Sequence, residues 1–298
     1  MKSRLSPLRV APFERNVAFL KSYAGQAYKL TRCNCVRTKG VELPKGIYVE
    51  KGTVNDEKLS SNISRALSTI RELVLCNPFD LFATLTLDKT KFNRYQLKEF
   101  NKALSQWIRN LNRKHGIHIK FLLIPETHKD GAWHMHGFLM GLPLELLEPF
   151  TLDMKLPNYI RDKLIEGETI YNWPEYAAKF GFVDIEPVRS RERAASYVTK
   201  YITKDLARSV SELGAHVYYA SKGLARATLL KRGTAVVEDL PPDFANDYCL
   251  VNWFDQSIPQ SVLESMVLTD KEKERLRHDT ASRNSGFFDR TAHPREYG

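Results

Sequence analysis

Two apolar runs on either side of a turn constrain the fold more than any other part of this chain. Phe121-Leu122-Leu123-Ile124 leads into Pro125-Glu126, and His134-Met135-His136-Gly137-Phe138-Leu139 follows after Lys129-Asp130-Gly131. Each run has the length and character of a strand, and Asp-Gly supplies turn chemistry. Residues 117–125 and 134–142 therefore predict a β-hairpin. Alternate side chains of a strand share a face, so His134 and His136 project together while Met135 turns into the core. The same hairpin brings the Glu126 carboxylate back beside them. Two imidazoles and a carboxylate make a three-ligand face with open positions, suited to Mn²⁺, Mg²⁺ or Zn²⁺. His128, in the turn, ranks below Glu126 as a substitute ligand or as a group that braces one.

The stretch Ser196-Tyr197-Val198-Thr199-Lys200-Tyr201-Ile202-Thr203-Lys204 repeats a Tyr-x-x-Lys pattern. On a helix, residues at i and i+4 sit roughly 5–6 Å apart at Cβ. Tyr197 and Tyr201 would present two phenols side by side, with Lys200 and Lys204 as a neighbouring pair of ammoniums. Such a set suits attack on a phosphodiester: a phenolic oxygen that can form a covalent link, and a cation to meet the phosphate. A phenol titrating near 10 is a poor nucleophile at neutral pH. A Lewis acid on the phosphate compensates for that weakness, so the hairpin cluster and the tyrosine helix complement each other.

Taken together, these motifs resemble the HUH endonucleases, and specifically rolling-circle replication initiators of the two-tyrosine type found in small single-stranded DNA phages and some plasmids. The resemblance covers roughly residues 78–206 and rests on three motifs in the family's order. These are the threonine-bearing strand Phe82-Ala83-Thr84-Leu85-Thr86-Leu87-Asp88, the pair His134-Met135-His136, and the doubled Tyr-x-x-Lys. It implies that Tyr197 and Tyr201 act as alternating nucleophiles that leave a 5′-phosphotyrosine. It also implies that His134, His136 and Glu126 hold Mg²⁺ or Mn²⁺, and that Lys200 and Lys204 contact phosphate or position the metal and nucleophile. Implied partners are a single-stranded origin, as a stem-loop, with helicase and polymerase supplied in trans, and the implied setting is the cytoplasm of a bacterial host. A relaxase or single-strand transposase shares this chemistry. A non-catalytic single-strand binder, with the histidines as core groups, is the alternative from another class.

The rest of the chain agrees with this reading. A net charge of +10 favours a polyanionic partner, and 43% hydrophobic residues can build a core. The four cysteines, Cys33, Cys35, Cys76 and Cys249, are too scattered for a disulfide framework and read as reduced thiols. No apolar run spans a bilayer, the N-terminus lacks a signal peptide's apolar core, and no ATPase phosphate loop is present. Helical spacing runs from Glu57 to Cys76 and from Tyr95 to Leu111, and strands are expected at 81–87 and 182–187.

The expected fold is α+β: a central antiparallel sheet of about five strands with packed helices, which the resemblance makes ferredoxin- or RRM-like. Residues 1–57 read as a polar lead-in, with short runs at Val41–Leu43 and Ile47–Val49. Residues 58–225 read as the catalytic domain, interrupted by an insertion at 143–180 with a short helix or two. Residues 226–298 read as an extension whose end is a short helix and a disordered tail. Thr84, Thr86, Tyr218, Tyr219 and Lys222 are further candidates for contact with single-stranded DNA.

Overall fold

The computed structural model describes residues 13–38, 56–190, 215–235 and 240–267, together with Arg193, Ser196, Tyr197, Lys200, Ile202 and Leu206. Its elements begin with β1 (Phe13–Tyr23), β2 (Ala27–Arg37), α1 (Asp56–Cys76), β3 (Leu81–Thr86), α2 (Leu97–His115), β4 (Lys120–Thr127) and β5 (Trp133–Met140). There follow β6 (Glu148–Pro149), α3 (Asn158–Ile165), β7 (Tyr171–Asn172), α4 (Pro174–Lys179), β8 (Val183–Pro187) and β9 (Tyr219–Ala220). The described chain ends with β10 (Thr228–Ala235), β11 (Phe244–Ala245), β12 (Cys249–Asp255), α5 (Gln260–Ser265) and β13 (Met266–Val267). This is an α+β architecture with two antiparallel sheets, divided between one compact unit of residues 48–226 and another of residues 1–47 with 227–298.

In the unit of residues 48–226, the sheet runs β6-β7-β8-β3-β5-β4-β9. Its centre is the predicted hairpin, β4 and β5, with β3 on the far side of β5. Strand alternation sorts the side chains onto two faces. Leu81, Ala83, Leu85, Met135, Leu139, Val183 and Ile185 join Leu97, Phe100, Leu104, Ile108 and Leu111 of α2 in one apolar cluster. Those five positions of α2 recur every three or four residues, which puts them on one stripe. Gly116 ends α2 in the left-handed conformation, with φ 66°. Just beyond it, the Asn112 side chain accepts from Ile119 N (2.9 Å) and donates to Ile119 O (3.2 Å), fixing the launch of β4.

The insertion is built into this unit. Its α3 and α4 form as short helices, and β6 and β7 extend the sheet beyond β8. Trp173 and Phe180 pack on Trp107 of α2, with ring centroids 4.8 and 5.6 Å apart.

The other unit adds what the sequence reading lacked. Where a polar lead-in was expected, β1 and β2 form a hairpin of two 11-residue strands. Its turn places Ala24 and Gly25 at φ 54° and 72°, left-handed values that suit the twist of a tight hairpin. Segments from the C-terminal part of the chain flank that hairpin on both sides, giving the order β11-β12-β2-β1-β10-β13. Val262 of α5 and Met266 of β13 complete a small core with Ala18, Leu20 and Leu30. Pairing between segments some 200 residues apart has no local signature, which is why periodicity alone does not reveal this sheet. The runs at Val41–Leu43 and Ile47–Val49 and residues 270–298 lie outside the described residues. All four cysteines are free thiols. Cys33 and Cys249 face each other across β2 and β12, and burial pushes the Cys33 thiol up. Among the described residues, no helix is long and apolar enough to cross a membrane.

Candidate active site

Register brings the chemistry together. On β3, β5 and β4, Thr86, His134 and Glu126 form one row, and Thr84, His136 and Ile124 the next. β8 extends the second row with Asp184 opposite Thr84. Paired residues point to the same side of a sheet, so this face carries the polar groups and the opposite face the apolar cluster with α2.

His134 and His136 are each 8% exposed. Their Nε2 atoms lie 3.0 and 2.8 Å from the same oxygen, Glu126 Oε2. One donor atom from each of the three residues lies within 4.8 Å of the others, so the group could hold a metal ion. The donor set fits that role. Burial first, then His136 and His128, lowers the His134 imidazole to about 3. Burial likewise lowers His136, against the pull of Glu126. Neutral imidazoles offer lone pairs, and a half-exposed carboxylate supplies charge. His128 follows the end of β4, its ring centroid 4.0 Å from that of His134, and it stands outside the three-residue group.

Behind the ligands lies a polar row that the sequence reading did not single out. Asp184 is 3% exposed. It accepts from the Tyr159 hydroxyl at 2.8 Å and hydrogen-bonds to Thr84, whose Oγ1 lies 3.3 Å from His136 Nδ1. Burial pushes the Asp184 carboxyl up, while the bonds from Tyr159 and Thr84 pull it down. Two residues on, Glu186 takes both carboxylate bonds from Lys163 Nζ, at 2.7 and 2.8 Å. The alternation Val183-Asp184-Ile185-Glu186 was the available signal, since its polar positions share a face with Thr84.

The tyrosine segment lies on this face. Arg193, Ser196 and Tyr197 are helical, and Ile202 and Leu206 are buried in the apolar cluster. The Tyr197 ring meets Phe82 edge-on at 5.7 Å, and Phe82 sits one alternation along β3 from Thr84. Tyr197 is 47% exposed, and Lys200 Nζ lies 5.4 Å from its ring centroid. Tyr201 and Lys204 lie outside the described residues. Beside Tyr197, a cleft of about 750 Å³ is lined by Phe82, Lys163, Glu168, Glu186, Arg189 and Arg193 among others.

The remaining candidates stand apart from this cluster. Tyr219, 9% exposed, pairs with Leu123 at the edge of the sheet and packs into the core. Tyr218 and Lys222 line a separate cleft with His216 and Arg226. Thr86 is opposite His134 in the register.

Residues 80–206 match the family of the replication-associated protein ORF2. That span holds Thr84, Glu126, His134, His136, Asp184, Tyr197 and Lys200, and the likeness supports a replication initiator that works on DNA. No curated protein and no solved structure matches the chain.

Proposed function

We propose that this chain initiates rolling-circle replication by nicking and rejoining single-stranded origin DNA, with a tyrosine of the 197–204 segment as nucleophile. The observation that carries the reading is the placement of Tyr197 on the same sheet face as Glu126, His134 and His136, all within the span that matches the replication-associated family.

In the cutting step, the phenolic oxygen attacks phosphorus and the P–O3′ bond breaks. The strand is left with a 3′-hydroxyl and its 5′-phosphate joined to tyrosine. The phenolic proton passes to solvent or a base, and the leaving 3′-oxygen gains one. Rejoining runs the same exchange backwards, so no nucleotide triphosphate is consumed. Glu126, His134 and His136 would hold Mg²⁺ or Mn²⁺, which when bound supplies Lewis-acid polarisation of the phosphate. Lys200 stands beside Tyr197, where an ammonium meets the negative charge of the attacked phosphate. With Tyr201 as second nucleophile, one tyrosine would hold the 5′ end while the other resolves the completed strand.

The test is a covalent adduct. Labelled single-stranded oligonucleotides bearing candidate origin stem-loops are incubated with the protein and Mn²⁺ and resolved in SDS. An SDS-resistant band is expected with the wild type, and none with the double variant Tyr197→Phe, Tyr201→Phe. Each single variant should retain one half-reaction. DNA binding without any adduct, across a broad set of stem-loops, overturns the reading in favour of a non-catalytic binder.

A further inference from the structure

We infer that Asp184 is a positioning residue that acts through Thr84 to orient His136 and to fix which of its ring nitrogens faces the metal site. The inference rests on the metal-binding role proposed for Glu126, His134 and His136, and extends it to residues on β3, β8 and α3.

The geometry is a chain of hydrogen bonds with a defined direction. His136 turns Nε2 towards Glu126 Oε2, 2.8 Å away, and Nδ1 towards Thr84 Oγ1, 3.3 Å away. For Nε2 to offer its lone pair to a cation, Nδ1 must carry the proton. Nδ1–H then donates to Thr84 Oγ1, and the Thr84 hydroxyl in turn donates to Asp184. Asp184 is a pure acceptor when ionised, so it cannot reverse this order. The Tyr159 hydroxyl donates to the carboxylate from the far side at 2.8 Å. Every link thus runs from the histidine towards the carboxylate, and a tyrosine from the 143–180 insertion anchors the end.

Burial makes the arrangement stiff. Asp184 is 3% exposed, and a carboxylate so placed is costly unless hydrogen bonds compensate it. The row Asp184–Thr84–His136 lies straight across three hydrogen-bonded strands, so the backbone register itself holds the three side chains abreast. His134 has a different environment: His128 stacks near its ring, and Thr86 is its β3 neighbour. The two histidines are therefore oriented by different means, and only His136 has a carboxylate behind it in this row.

The experiment measures Mn²⁺ affinity of the full-length protein by titration calorimetry, independently of DNA cleavage. Thr84→Val keeps the shape of threonine and removes the hydroxyl. Thr84→Ser keeps the hydroxyl and loses the methyl. If Thr84 only filled space, Val would do better than Ser. If it relays orientation, Ser should bind Mn²⁺ within a few-fold of the wild type, and Val should lose roughly 10- to 100-fold. Asp184→Ala should match the Val loss, Asp184→Asn should recover part of it, and Thr84→Val with Asp184→Ala should be no worse than either alone. Melting temperatures report folding, and should Asp184→Ala fail to fold, the Val–Ser ranking carries the test. Val at or above Ser in affinity, or additive losses in the double variant, overturns the inference while leaving the metal site standing. A wild-type protein that binds no Mn²⁺ overturns both.

Discussion

The two sheets bury polar side chains in opposite ways. In the unit formed by residues 1–47 with 227–298, Asn252 is buried on β12. Its Oδ1 accepts from Arg32 Nη2 at 2.9 Å, and its Nδ2 donates to Pro241 O at 2.8 Å. Donor meets acceptor on both sides, and Arg32 also donates to Leu240 O at 3.2 Å. The amide stitches a loop to the sheet. In the unit of residues 48–226, two imidazole nitrogens and a carboxylate oxygen crowd together, and each can present a lone pair. Acceptors facing acceptors in a buried setting repel unless a proton or a cation sits among them. Buried polar groups that complete one another are structure, whereas buried groups whose lone pairs converge on one point suit a cation.

The largest expected effect separates these roles. His136→Ala removes a converging lone pair, and metal-dependent cleavage of single-stranded DNA should fall below detection. DNA affinity should stay near wild type, because backbone contacts by Lys and Arg carry most of it. Asn252→Ala should do the reverse: cleavage per folded molecule unchanged, with stability reduced by about 1–3 kcal/mol from the stranded partners. Cleavage assays at saturating Mn²⁺, paired with urea denaturation, read both quantities. Cleavage that survives His136→Ala breaks the comparison.

A smaller effect compares one glycine from each sheet. Gly137 follows His136 on β5, where an added Cβ would run into the Leu122 carbonyl of β4. Gly25 sits in the β1–β2 turn at φ 72°, with open space around it. The first glycine is required for room and the second only for conformation. Gly137→Ala should cost about 1–3 kcal/mol through forced strand displacement, and it should weaken Mn²⁺ binding because Glu126 and His136 lie on the two strands pushed apart. Gly25→Ala should cost about 1 kcal/mol and leave Mn²⁺ binding untouched. Equal losses of melting temperature would show that strand spacing is not what Gly137 protects.

The same contrast explains what was legible in the sequence. The β4–β5 hairpin is local, so the spacing of Glu126, His134 and His136 already implied their convergence. The amphipathic stripe of α2 and the strand at 81–86 were equally visible, because each is written in consecutive residues. Asp184 was not, since its position depends on the registers of β8 with β3 and of β3 with β5, which no single segment encodes. The sheet of the other unit was hidden for a related reason. Its strand β2 pairs Cys33 with Cys249, and strands so distant in sequence find each other through shape and burial that periodicity does not register. For the nucleophile, Tyr197 is placed by its edge-on contact with Phe82, which depends on packing and not on the helical spacing that first drew attention to it.

The smallest expected effect lies in the acid response of the metal-free protein. Burial lowers the His134 imidazole from 6.5 to about 3. Between those values the unfolded chain binds a proton at this position and the folded chain does not. Stability must therefore fall as pH drops below 6.5, and this histidine's share of the loss is complete near pH 3. His136 contributes in the same direction, because burial outweighs the attraction of Glu126. His134→Gln keeps a polar side chain of similar reach without an ionisable ring. In EDTA, its melting temperature should decline less steeply with acidification than that of the wild type. Asn252→Ala should track the wild-type slope from a lower starting point, since no titrating group is lost. Parallel slopes for His134→Gln and the wild type would mean that the buried imidazole accepts its proton as easily folded as unfolded, and the charge-seeking character assigned to this sheet would then have to come from Glu126 alone.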